Sequence, residues 1–148
     1  MFLPELPDCS FSSVVVTKAI GFGSVNSIEE AISLAERLGI TVCEQDIGLE
    51  GVLISVGSIK KIIVNKNLPY AMRVRTILHE VGHYVLHGFI PTSFAGYEHF
   101  QYQAEREANA FAWLLMSDSL RKLLIEELND EGPWALWGNV DGIGGSDC

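Results

Sequence analysis

The segment His79-Glu80-Val81-Gly82-His83 sets two imidazoles four residues apart and places a carboxylate directly after the first. On a helix, residues four apart share a face about one turn apart. The two imidazoles can then grip one divalent metal ion, with Glu80 beside it but not necessarily bound to it. The chemistry needs all three groups. Two neutral nitrogens leave most of the ion's charge unspent. That charge lowers the pKa of a water to about 7, and the carboxylate takes the proton as the water attacks a carbonyl.

A catalytic site of this kind also needs a third protein ligand and an open position. The best candidate lies in the segment Gln103 to Ala112, where Glu105 and Asn109 are four apart and share a face. Glu105 can bind the metal. Asn109 can accept a hydrogen bond from the free ring N–H of a ligand histidine and set its tautomer. Glu107 is the rival ligand. Two residues along a helix is a rotation of about 200°, so Glu105 and Glu107 cannot both face one ion. The pairing with Asn109 favours Glu105 and leaves Glu107 as a solvated carboxylate. His87 continues the row after His83 but lies about two turns from His79. It reads as a helix C-terminal residue that meets the macrodipole, with an outer role at the site as the alternative. His99 reads as a loop residue. The alternative is a donor that, with Tyr97 and Tyr102, stabilises an oxyanion.

The elements around these residues can be read from periodicity. Residues 1 to about 12 hold two prolines and no period, and read as an arm. Val14-Val15-Val16 suits a short strand or the opening of a helix through Ile20. Ser27 and Glu30 have capping-box spacing, and Ile28, Ala31, Ile32, Ala35 and Leu38 share a face. A helix from about Ile28 to Leu38 follows, ended by Gly39. Ile40 to Glu44 suits a strand. Gly51 to Val56 and Lys61 to Asn65 flank Gly57-Ser58 as a hairpin, so a small and largely antiparallel sheet is expected. The HExxH helix spans about Tyr70 to Leu86 and is closed by Gly88 and Pro91. Residues 89–100 read as a loop, and a helix from about Tyr102 to Met116 carries Glu105. Its alanines permit the close approach that ligands from two helices require. Ser117 or Asp118 caps a last helix to about Leu128, and a tail with two tryptophans follows. The fold class expected is α+β, with a small mixed or antiparallel sheet packed on the helices that carry the site. A single domain over 1–148 is expected, with its core at about 25–128.

Composition narrows the function. Of 148 residues, 48% are hydrophobic and 20% charged, as in ordinary globular domains. The net charge of -9 disfavours nucleic acid and anionic lipid as partners. Cys9, Cys43 and Cys148 are odd in number and widely spaced, which suits free thiols in a reducing cytoplasm. No signal peptide and no apolar run of membrane-spanning length is visible. Lys60, Lys61, Lys66, Arg73 and Arg75 cluster between the hairpin and the HExxH helix. They read as a solvated edge that discourages aggregation, or as a docking patch for an acidic partner segment.

HEVGHYVLHG followed by EREANAFAWLLM resembles the ImmA/IrrE family of bacterial and phage metallopeptidases. RVRTILHEVGHYVLH is similar to that family's arginine-bearing approach to its HExxH helix, and EREANAFA to its second signature. The resemblance covers about residues 25–120. It implies a zincin-like fold of gluzincin type, metal ligands at His79, His83 and Glu105, and the catalytic carboxylate at Glu80. It also implies a single divalent ion, for which Zn2+ suits the ligand set best. The implied substrate is a protein, namely a helix-turn-helix repressor, with the peptidase acting as a regulator of phage, prophage or mobile elements. Two alternatives keep the fold and change the task. One is a regulatory module that binds without cutting, the other one half of a toxin-antitoxin pair.

Overall fold

Of the eight elements among the described residues, six lie where periodicity and capping residues place them, within a residue or two. The computed structural model describes residues 12–88 and 97–129. The arm before Ser12 and the tail after Asn129 lie outside them. In chain order the elements are α1 (Ser12–Phe22), α2 (Ile28–Arg37), β1 (Thr41–Gln45), β2 (Gly51–Val56), β3 (Ile59–Asn65), α3 (Tyr70–His87), α4 (Tyr97–Leu115) and α5 (Asp118–Leu128). The valine run opens a helix, and α1 buries Val15 and Ala19.

Several helix ends are satisfied by side chains, some of which come from elsewhere in the fold. At α2, Ser27 Oγ accepts from the Glu30 N–H at 3.1 Å, and Glu30 Oε1 reaches back to the Asn26 N–H at 2.8 Å. The Ile28 N–H goes to the hydroxyl of Tyr70, at the start of α3. The residue before α3 is Pro69, which has no side chain to cap with. Glu127 of α5 does this instead, accepting from the N–H groups of Ala71 and Met72 at 2.8 and 2.9 Å. A carboxylate here also meets the positive end of the helix dipole. The last carbonyls of α4 are met by Arg121 of α5, which donates to Trp113 O and Leu114 O. The linkers before α2 and after α4 pair through Val25 and Met116.

The sheet has the order β1-β3-β2. β2 and β3 form the expected antiparallel hairpin, turned at Gly57 with φ +60. β1 pairs with β3 in parallel, Val42 opposite Ile62 and Glu44 opposite Val64. One of the two pairings is therefore parallel, where a largely antiparallel sheet is expected. The cause is the connection: β2 takes one side of β3 by its tight turn, and the chain reverses between β1 and β2, so β1 lies on the far side of β3 and runs in the same direction as β3. The second difference is α4, which begins at Tyr97 and not near Tyr102. Tyr97 to Gln101 carry aromatic and polar side chains without an apolar period, so amphipathicity could not reveal that first turn.

Five helices and a three-stranded mixed sheet, among the described residues, make an α+β fold of zincin-like kind. The core joins Leu34, Ile40, Ile62, Val64, Met72, Ile77, Leu78, Phe111 and Leu115, each at most 2% exposed. α3 lies at its centre. Gly82 permits close contact with α4, since a Cβ there would meet Phe111 Cδ2 at 2.9 Å. No helix among the described residues is long and apolar enough to cross a membrane.

Candidate metal centre

Two packed helices bring three donor groups together. His79 and His83 stand one turn apart on α3, with Nε2 atoms 3.2 Å apart. Glu105 of α4 reaches both: Oε1 lies 3.0 Å from His79 Nε2 and Oε2 lies 2.8 Å from His83 Nε2. One donor atom from each residue can be chosen so that all lie within 4.8 Å of one another. Among the described residues no other His, Cys, Asp or Glu group is arranged in this way. A tetrahedral ion with bonds near 2.0–2.1 Å needs donors about 3.3 Å apart. The separations here are close to that edge, and two nitrogens with a carboxylate oxygen form a donor set suited to a divalent ion.

The charges of the cluster support one another. Burial works against a charged His79. The hydrogen bond with Glu105 and the negative charges of Glu80 and Glu105 outweigh it, so the imidazole's proton affinity is raised. Burial alone would raise the Glu105 carboxyl. Its hydrogen bonds with both histidines hold it well below the usual carboxylate range instead. Glu80 goes the other way: burial pushes its carboxyl up, and the opposing pull of the histidines does not cancel that. A carboxylate with its proton affinity raised in this way is the better proton acceptor.

Two layers flank the cluster. On one side lies Arg75, one turn before His79 and only 3% exposed. Its Nη2 meets Glu50 Oε1 at 2.9 Å, and its Nη1 donates to Asn109 Oδ1 at 3.4 Å. Asn109 is one turn after Glu105, so this layer repeats the contact between the two helices one turn away from the donors. The expected donor to Asn109 was a ligand histidine, whereas the structure gives it Arg75. His79 Nδ1 is buried and has no hydrogen-bond partner among the described residues. On the other side, His87 Nε2 lies 2.7 Å from Glu107 Oε1, with side chains 7% and 19% exposed. Glu107 is thus a half-buried partner of His87, not a solvated carboxylate. His87 accordingly does more than face the helix dipole.

The basic cluster does not form one free face. Arg75 is buried, Arg73 pairs with Glu44 at 3.1 Å, and Lys60 Nζ donates to the Tyr84 hydroxyl at 2.8 Å. No sequence period signals these partners, because each pair is set by how the sheet docks on α3. The side chain of His99 lies outside the described residues.

The model of the peptidase family described as the IrrE N-terminal-like domain matches residues 35–131, more than half of the chain. The chain belongs to that family. Membership carries a metallopeptidase-type function, and the cluster of His79, His83 and Glu105 is its candidate for binding a metal. Searches among curated proteins and among solved structures found no match.

Proposed function

We propose that this IrrE N-terminal-like domain is a zinc-dependent endopeptidase that hydrolyses a peptide bond in a protein substrate. The observation that carries the reading is the convergence of His79, His83 and Glu105 from two helices beside the half-buried Glu80. His79, His83 and Glu105 would hold the ion. Once bound, zinc supplies Lewis acidity, lowering the pKa of a water and polarising a carbonyl. Glu80 takes the proton of the attacking water and returns it to the nitrogen of the leaving amine. Glu105 and the two histidines keep this point fixed, and the Arg75–Asn109 layer holds the spacing of their helices. The third ligand being Glu makes the site gluzincin-like.

The substrate proposed is a helix-turn-helix repressor, cut to release the genes it silences, in the cytoplasm and in a phage, prophage or mobile-element setting. The family resemblance supports this class. The acidic surface supports a protein and not nucleic acid as partner. Among the described residues β2 is an edge strand, along whose outer side an extended substrate segment can lie. The test is co-incubation of the zinc-loaded protein with a candidate repressor, with fragments read by mass spectrometry. A discrete cleavage product with wild type and none with Glu80→Gln is expected. An intact repressor would remove this substrate class, and absence of zinc from the purified protein would remove the zinc assignment.

A further inference from the structure

We infer that Lys60 and Tyr84 form a subsite for a carboxylate side chain of the substrate, at one end of the strip of α3 that carries Glu80. This rests on the peptidase reading and deepens it. Thr76, Glu80 and Tyr84 follow one another at intervals of four and form one row on α3. Both ends of the row touch the hairpin. Thr76 lies so close to Gly51 that a Cβ there would come within 2.5 Å of Thr76 Cγ2. At the other end the Tyr84 hydroxyl accepts a hydrogen bond from Lys60 Nζ. Gly51 opens β2, and Lys60 is paired with Ser55 near its far end. The β2–β3 hairpin therefore runs beside the Glu80 row, from one turn before Glu80 to one turn after it. A substrate carbonyl brought to Glu80 has its neighbouring residues along this strip.

Lys60 is aimed into the strip. Side chains alternate along a strand. Lys60 shares its face with Ile62 and Val64, which are fully buried towards the helices, while Lys61 points to the opposite face. The Lys60 residue is half-buried, with its ammonium 4.8 Å from the centre of the Tyr84 ring and bonded to its hydroxyl. Among the described residues no carboxylate pairs with it, in a chain with 19 acidic and 10 basic side chains. An ammonium whose partner is a neutral phenol gains from an incoming carboxylate. The rotamer entropy of the lysine is already lost to Tyr84, so binding need not order it again. Side chains on a helix lean towards its N-terminus, which lays the Tyr84 ring over the turn of Glu80. One turn spans about 5.4 Å, and an extended chain about 3.3 Å per residue. The acidic residue then lies about two positions from the bond that is cut.

The test uses the zinc-loaded full chain and synthetic peptides that differ only by Glu or Gln at one position, scanned across the cleaved bond. At one position, about two residues from the bond, Glu should be preferred by about tenfold in kcat/KM, mostly through KM, as one charge-assisted hydrogen bond implies. Lys60→Met should abolish that preference, Lys60→Arg should keep it, and Lys60→Glu should reverse it in favour of Gln. Lys61→Met should leave it unchanged. The same peptides titrated against Glu80→Gln give a readout without turnover, and their Kd values should show the same order. If the wild type cuts peptides with no acidic preference, or Lys60→Met retains it, the subsite is overturned and the peptidase reading stands. If nothing is cut but Glu still binds over Gln through Lys60, the subsite stands and the peptidase reading falls. Neither cleavage nor a binding preference would overturn both.

Discussion

The two halves of α3 are built differently. From Ala71 to Leu78 every residue but Arg73 is buried, and the helix start is held by the Glu127 carboxylate. From His79 to His87 only Val81 and Gly82 are fully buried, and the others are partly buried and largely polar. The first half spends its surface on the core and the second on the candidate site. A helix is stiff over such lengths, so anchoring one half orients the other. The polar groups of the second half can then stay near water, where a substrate reaches them, without loosening the donor geometry.

If that division holds, changes in the second half should affect chemistry with little loss of stability, and changes in the first half the reverse. The largest effect is expected for Glu80→Gln. Cleavage should fall by about 10²–10⁴-fold, the range of general acid–base catalysis, with metal and melting temperature retained. Turnover close to wild type would end the general-base role. Glu105→Ala should follow, with metal affinity lowered by more than the roughly 10–100-fold that an outer partner of a ligand costs. Isothermal titration with Zn2+ measures this, and unchanged affinity would move the ligand role away from Glu105.

Gly82 is one of the two buried residues of the second half, and there the division should break down. Gly82→Ala places a methyl against Phe111, which is fully buried and cannot swing away. A loss of about 1–3 kcal/mol in urea unfolding is expected, with metal affinity falling as α4 is pushed off. A neutral result would mean that the helices can part without cost to the donors. The smallest effect belongs to Glu127→Ala, far from the donors. Removing the cap from two N–H groups should cost about 1–2 kcal/mol of stability and leave metal affinity unchanged. A change in affinity would show that the anchor reaches the site.

The residues of the candidate site were legible because their signals are local. The spacing of His79, Glu80 and His83 needs only a helix to become geometry, and the apolar row from Val74 to Leu86 supplies one. Ser27 with Glu30, and Ser117, mark helix starts for the same reason. Glu105 was readable from its interval to Asn109. The same interval did not reveal that Asn109 meets Arg75, or that Glu107 turns inward to His87. Those contacts depend on how α4 crosses α3, which no interval within either helix contains.

By itself the sequence determined which groups share a face: two imidazoles and a carboxylate on one helix, a second carboxylate on another, and a hairpin turned at Gly57. These follow from periods of two and of about 3.6, which act between near neighbours. Only the tertiary structure decided the parallel docking of β1 on β3, the cap that Glu127 lends to α3, the burial of Arg75 against Glu50, and the meeting of Lys60 with Tyr84. Each joins residues more than twenty positions apart except β1 with β3, whose partners are twenty apart and still separated by the whole of β2. Such contacts form when close packing of the core leaves one arrangement in which the apolar faces are covered and the polar groups have partners.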